Sequence, residues 1–179
     1  ETVEGVEFRE VWLHAHFRRE RLSLIAGKID LTAYFDRNRV ANDETEKFLN
    51  TSLVNNPILR QPPNGGGLVL RYEFGNGLHM GAGIQSSGPS NKTVEKPYAV
   101  GEIGSHNPFL SREGNWRLWA RTSGVSLGAG ISLDQNLTQR VIGFARAGVE
   151  EIGGESKKPY AWSTGFEYNL TGTAIRKNR

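Results

Sequence analysis

Cysteine is absent from the chain, which excludes disulfides and thiolate metal sites. Long apolar runs are absent too. No stretch approaches the roughly 20 apolar residues that a membrane-spanning helix needs, and the mean hydropathy is −0.49. A β-barrel escapes that test, because only every second residue of its strands must be apolar. There is little excess charge of either sign, the net being +3. The basic clusters (Arg18 with Arg19, Arg37 with Arg39, and the tail from Arg176 to Arg179) are short and not interleaved with exposed aromatics, so no nucleic acid is expected as a partner. Catalytic signatures are missing as well. There is no G-x-S-x-G elbow and no cysteine nucleophile. Gly27 and Lys28 lack the upstream glycine of a phosphate loop, and Gly128 and Gly130 lack a third glycine and a following helix. The chain is therefore read as no enzyme, with no catalytic residues and no cofactor.

What the sequence does have is 22 glycines and nine short stretches in which apolar and polar residues alternate. The cleanest runs from Tyr160 to Leu170. Tyr160, Trp162, Phe166, Tyr168 and Leu170 share one parity; Ala161, Ser163, Gly165, Glu167 and Asn169 share the other. In a strand, parity is a face. The other strands expected are 6–18, 21–28, 68–74, 78–85, 97–104, 115–122, 125–133 and 140–149. Tight turns at Arg19–Glu20 and at Gly75–Gly77 mark antiparallel hairpins. The faces of 140–149 are left open by the pattern. The recurring residues of the polar face are Arg, Gly, Ser, Glu and His, a set that suits an enclosed wet lumen better than a surface facing bulk water.

Residues 29–65 break the alternation. Asp43 caps a short helix and Glu46 reaches back, as in a capping box; the helix is expected over 43–54, closed by Pro57. A connection this long is more often functional than filler. If the helix folds into a pore, Asp43, Glu44, Glu46 and Lys47 narrow it. The alternative is a cap packed outside the barrel mouth.

Arg71, Glu73, Arg117, Trp119, Arg121, Arg146 and Glu167 are the candidate pore-lining and solute-contacting residues. Arginine and carboxylate bind sugar hydroxyls directionally, and an aromatic ring can stack on the apolar face of a sugar. The plainer reading is cross-strand ion pairing on a solvated face. His14 and His16 carry a competing signal: residues two apart on a strand point the same way, so both imidazoles could reach one metal. With Glu20 and Gly27 they follow the spacing of the latter part of a cupin motif. Gly5 is displaced from the leading position, and neither His79 nor His106 sits in the second motif.

Two blocks resemble the carbohydrate-selective porins of the OprB type, in particular the cyanobacterial branch of OprB-like or iron-uptake porins. The first comprises 26–36 (AGKIDLTAYFD), 40–50 (VANDETEKFLN) and 54–57 (VNNP). The second comprises 114–119 (GNWRLW), 128–135 (GAGISLDQ) and 143–148 (GFARAG). The resemblance runs from about Phe8 to Leu170. It implies an all-β, antiparallel, up-and-down transmembrane barrel in the outer membrane of a Gram-negative bacterium or cyanobacterium. Its neighbours would be outer-membrane lipid and small hydrophilic solutes, chiefly sugars, and the full-length protein could be a homotrimer. The family's amino-terminal region and its final strand ending in an aromatic residue do not appear here. The expectation is thus that 1–179 is a single internal segment of a larger barrel, about nine strands long, with no metal. The runner-up is a soluble cupin-like metal-binding barrel using His14, His16 and Glu20. A lectin-like sandwich is the third reading.

Overall fold

The computed structural model describes residues 8–42, 51–86, 97–107, 112–124, 126–156 and 158–170. These form nine strands: β1 (Val11–Phe17), β2 (Leu22–Ile29), β3 (Gly65–Glu73), β4 (Leu78–Gln85), β5 (Tyr98–Ser105), β6 (Gly114–Thr122), β7 (Ser126–Asn136), β8 (Val141–Ile152) and β9 (Tyr160–Tyr168). Each pairs antiparallel with its sequence neighbour, giving one sheet in the order β1 to β9. No ladder joins β1 to β9 among the described residues, so the sheet is open and these two strands are its edges. All nine expected strands are present within a few residues of their expected bounds, and 97–104 proves to be a full strand paired on both sides.

The register puts one parity class of every strand on one face. One row across the sheet reads Glu73, His79, Gly104, Arg117, Ser132, Arg146 and Ser163; the next reads Arg71, Gly81, Glu102, Trp119, Gly130, Gly148 and Ala161. The opposite face carries Leu70, Met80, Ile103, Leu118, Val149, Trp162 and Phe166. Strand β8, ambiguous in the sequence, turns Ile142, Phe144, Arg146 and Glu150 toward the charged face. Ile142 and Phe144 cluster there with Val40 and Ala41, which explains why apolar residues interrupt its polar parity.

The two ends of the sheet differ. At one end lie the turns 18–21 and 74–77 and the β7–β8 turn. At the other lies the 35-residue connection 30–64 between β2 and β3. That connection begins with a 3-10 helix, Leu31–Ala33, whose cap Asp30 accepts the Thr32 backbone N–H at 2.8 Å. It also holds one turn of α-helix, α1 (Thr51–Val54). The rest of the expected 43–54 helix, including Asp43, Glu44, Glu46 and Lys47, lies outside the described residues.

The described parts of the connection, 30–42 and 51–64, lie across the charged face. The apolar core forms between them and the sheet: Ile29, Leu31, Phe35, Ile58 and Leu59 pack on Ile25, Val69, Tyr98, Val100 and Trp119. Among the described residues the outer face has no such cover. Leu118, Leu127, Val149, Trp162 and Phe166 are all exposed.

Candidate functional site

The site is the layer between the charged face and the 30–64 connection. Three arginines on β6 and β8 hold it together, each by donating to backbone carbonyls that have no partner in a strand. Arg121 donates from Nε to the Ile58 carbonyl at 3.0 Å and from Nη2 to the same oxygen at 2.9 Å. Its Nη2 also meets Glu150 Oε1 at 2.5 Å, both side chains fully buried. Arg146 donates to the Val54 carbonyl at 2.6 Å and to the Asp36 carbonyl at 2.7 Å, and also reaches Asn42 Oδ1. Its Nε lies 3.3 Å from the Asp36 carboxylate. Arg117 donates to the Arg37 carbonyl and sits between two buried carboxylates, 3.9 Å from Glu102 and 3.8 Å from Asp134. A guanidinium has five donors in a rigid fork, so one side chain can serve a carboxylate and several carbonyls together. A loop laid over a sheet needs just such partners for its backbone.

Return contacts come from the connection. Arg39 pairs with Asp134 at 2.5 Å, and the exposed Arg60 reaches Glu150 at 3.0 Å. The Asp36 backbone N–H donates to Glu102 Oε2 at 2.7 Å. The Trp119 indole N–H donates to Asp36 Oδ1 at 2.9 Å, and the Tyr98 hydroxyl donates to the Leu59 carbonyl at 2.7 Å. Burial raises the Asp36 carboxyl to about 6, although Arg146 and the Trp119 N–H pull it the other way.

The glycines of the charged face make room for this layer. A Cβ at Gly83 would stand 2.6 Å from the Phe35 ring, and one at Gly130 would strike the Trp119 ring. The sequence suggested that an Arg, Gly and Ser face lines water. The structure shows instead that the glycines are the floor on which inserted side chains rest. The sequence missed this because the docking partner is 30 to 100 residues away in the chain; the signal available was the pairing of bulky Phe35 and Trp119 with glycine-rich strands.

The candidate lining residues all fall on this one face. Arg117, Trp119, Arg121 and Arg146 are buried under the connection rather than open to a lumen. Trp119 in particular offers no free ring face for a sugar. Arg71, Glu73 and Glu167 are partly exposed, with Arg71 and Glu73 paired at 2.8 Å. His14 and His16 point the same way on edge strand β1, rings 4.0 Å apart, and both are exposed. Glu20 lies in the turn beyond Phe17, and the three form no ligating group. The chain's other two histidines do come together: His79, His106 and Glu73 bring their ligating atoms within 4.8 Å of one another. For a sandwich, a second sheet would have to cover the apolar face, and none does among the described residues.

No family model matches the chain, and no solved structure matches it. It is 33% identical over 104 residues to an uncharacterized protein of Aquifex aeolicus (strain VF5). The match covers 54% of this chain and 34% of that protein, so the matched part is about a third of that relative's length.

Proposed function

We propose that this chain forms an arc of the wall of an outer-membrane β-barrel, with the 30–64 connection lodged inside, and that the whole protein passes small hydrophilic solutes. The observation that carries this is the inversion of the usual amphipathic order. Glu102, Arg117, Arg121, Asp134, Arg146 and Glu150 are buried, while a broad face of Leu, Ile, Val, Phe and Trp is exposed on every strand from β3 to β9. Monomeric soluble proteins rarely expose contiguous apolar patches beyond a few hundred Å². Lipid tails satisfy such a face, and a closed barrel satisfies the edges of β1 and β9 through further strands.

Three details agree with this reading. The strands run 7 to 12 residues, bracketing the roughly 9–11 that a tilted transmembrane strand needs. Phe17, Tyr72 and Trp162 share one row of the apolar face, with Trp116 and Tyr168 nearer the short-turn end and Tyr160 nearer the other, and aromatic residues are enriched where a membrane-facing surface meets the interface. Short turns at one end and a long connection at the other match the asymmetry of such barrels.

The buried arginines then act as anchors for the inserted segment, which sets the open cross-section. Solute selection falls to the groups still reachable from water, Arg60, Arg71, Glu73 and Glu167. Sugars are the solutes to test first, with the porin-like blocks as the reason. Full-length protein in liposomes should admit mono- and disaccharides in a swelling assay. Liposomes that take up protein yet stay impermeable to both sugars and ions would rule out the channel function.

A further inference from the structure

We propose that Glu73, His79 and His106 form a binding site for a divalent first-row transition-metal ion at the short-turn end of the sheet. The site does not depend on the membrane reading, since it rests on a side-chain cluster alone.

The topology brings the three together. Glu73 and His79 are direct partners across the β3–β4 ladder. His106 follows β5, and its backbone N–H donates to the Gly77 carbonyl in the β3–β4 turn at 2.9 Å. The three ligating atoms lie within 4.8 Å of one another. A tetrahedral ion about 2.1 Å from each ligand needs them roughly 3.4 Å apart, a closure within reach of side-chain rotation. The imidazole rings lie at 26° to each other with centroids 4.9 Å apart.

The surrounding hydrogen bonds fix which nitrogen is offered. Asn115 Nδ2 donates to Asp134 at 2.6 Å. Its Oδ1 therefore faces His106 Nδ1, 2.6 Å away, and accepts a hydrogen bond from the Nδ1–H. That leaves His106 as the Nδ1–H tautomer with an Nε2 lone pair turned outward. Metal-ligating histidines are held in just this way, by an acceptor on the other nitrogen. Asp134 is in turn anchored by Arg39.

His79 supplies the second, independent observation. It is 1% exposed, and neither ring nitrogen has a hydrogen-bond partner. Glu102 lies 3.5 Å from its Nε2, too far and too poorly aimed to count as one. Burying an imidazole with both nitrogens unpaired is unfavourable, because each has lost its partner in water. An ion at one nitrogen, drawing the other toward Glu102, removes that cost. Gly104 permits the ring's position, because a Cβ there would stand 2.7 Å from both Cε1 and Nε2. Glu73 uses Oε1 for Arg71, which leaves its second oxygen for the ion.

Two imidazoles and one carboxylate form a borderline donor set that suits Zn²⁺, and equally Fe²⁺, Co²⁺ or Ni²⁺; it does not suit Ca²⁺ or Mg²⁺, which prefer all-oxygen cages. The gradation from buried His79 through half-exposed Glu73 to exposed His106 leaves the fourth position facing water. Ion exchange is thereby expected, not permanent burial.

The test is titration of tag-free, full-length protein in detergent with Zn²⁺ by calorimetry, and with Co²⁺ by visible absorption. Residues 1–179 hold four histidines in two pairs, so His14 and His16 serve as the control within this segment. The expected result is one equivalent bound per chain, with tetrahedral Co²⁺ bands. His106→Gln, at an exposed position, should weaken binding by more than about tenfold while sheet circular dichroism stays unchanged, and Asn115→Ala should weaken it by about 10- to 100-fold. The double variant His14→Ala/His16→Ala should bind as the parent does. Absence of binding by the parent, affinity unchanged in His106→Gln, or binding that disappears with His14 and His16 would each overturn the proposal.

Discussion

Replacing Arg146 with Ala should release the inserted segment without unfolding the sheet. The magnitude follows from what the guanidinium serves. Val54 and Asp36 each lose the donor to a buried carbonyl, at about 1–3 kcal/mol for each group left unsatisfied. The Asp36 carboxylate also loses the cation 3.3 Å away. Breaking a buried ion pair by removing one partner costs roughly 3–5 kcal/mol. Asp36 can escape part of that penalty by taking up a proton, its carboxyl already titrating at about 6. Water entering the vacated space satisfies part of the rest, so the net local cost is about 3–4 kcal/mol. With tenfold per 1.4 kcal/mol, amide exchange in 31–41 and 51–60 should speed up by roughly 140- to 700-fold, while β6 and β7 stay protected. The measurement is hydrogen exchange read by mass spectrometry on full-length protein in detergent. Arg146→Lys, which keeps the charge but not the fork, should fall between the two. Unchanged exchange in the segment, or equal loss of protection through all strands, would refute the account of Arg146 as an anchor.

Other outcomes follow from the same layer. Gly83→Ala places a Cβ 2.6 Å from the Phe35 ring, and this overpacking should destabilise the inserted segment by about 1–3 kcal/mol, read as lost protection at 31–41. The raised Asp36 carboxyl means that the packed state binds more protons than the free one between pH 4 and 6. Protection of 31–41, corrected for intrinsic rate, should therefore be greatest below pH 4 and fall as pH rises through 6. Asp36→Asn should flatten that profile, and protection rising with pH would contradict it. Leu118→Lys, in the middle of the apolar face, should cost about 2–4 kcal/mol of folding in lipid, seen as a lower urea midpoint in liposomes.

The strands were legible because their signal is local. Alternation at Leu68 to Phe74 and at Tyr160 to Leu170 names both the element and its two faces, and the turn at Gly75 to Gly77 joins neighbours. A meander needs no more than that, so the order of all nine strands could be read. Strand β8 resisted because Ile142 and Phe144 pack against Val40 and Ala41, a contact that no alternation pattern encodes. The common face of Arg71, Arg117 and Arg121 was also legible from parity, whereas that of Arg146 was not. The burial of this face was not legible, because the groups that cover it are mostly backbone carbonyls at Asp36, Arg37, Val54 and Ile58, and carbonyls leave no mark in a sequence. The histidines show the same limit. His14 and His16 lie two apart in the sequence and so drew notice, whereas His79 and His106 meet only through strand pairing and the β3–β4 turn.

Residues 1–179 hold no cysteine, so the most direct test needs only the replacement of any cysteine elsewhere in the full-length protein. Single cysteines placed at consecutive positions 116–121 on β6 and 127–132 on β7 can be spin-labelled in liposome-reconstituted full-length protein. Their collision rates with oxygen and with a water-soluble nickel chelate are then compared. The account predicts high oxygen and low nickel accessibility at 118, 120, 127, 129 and 131, with both low at 117, 119, 121, 130 and 132. Nickel accessibility at 118, 127 and 129 equal to that of the turns would mean that water, not lipid, covers the apolar face, and the membrane-wall reading would fail.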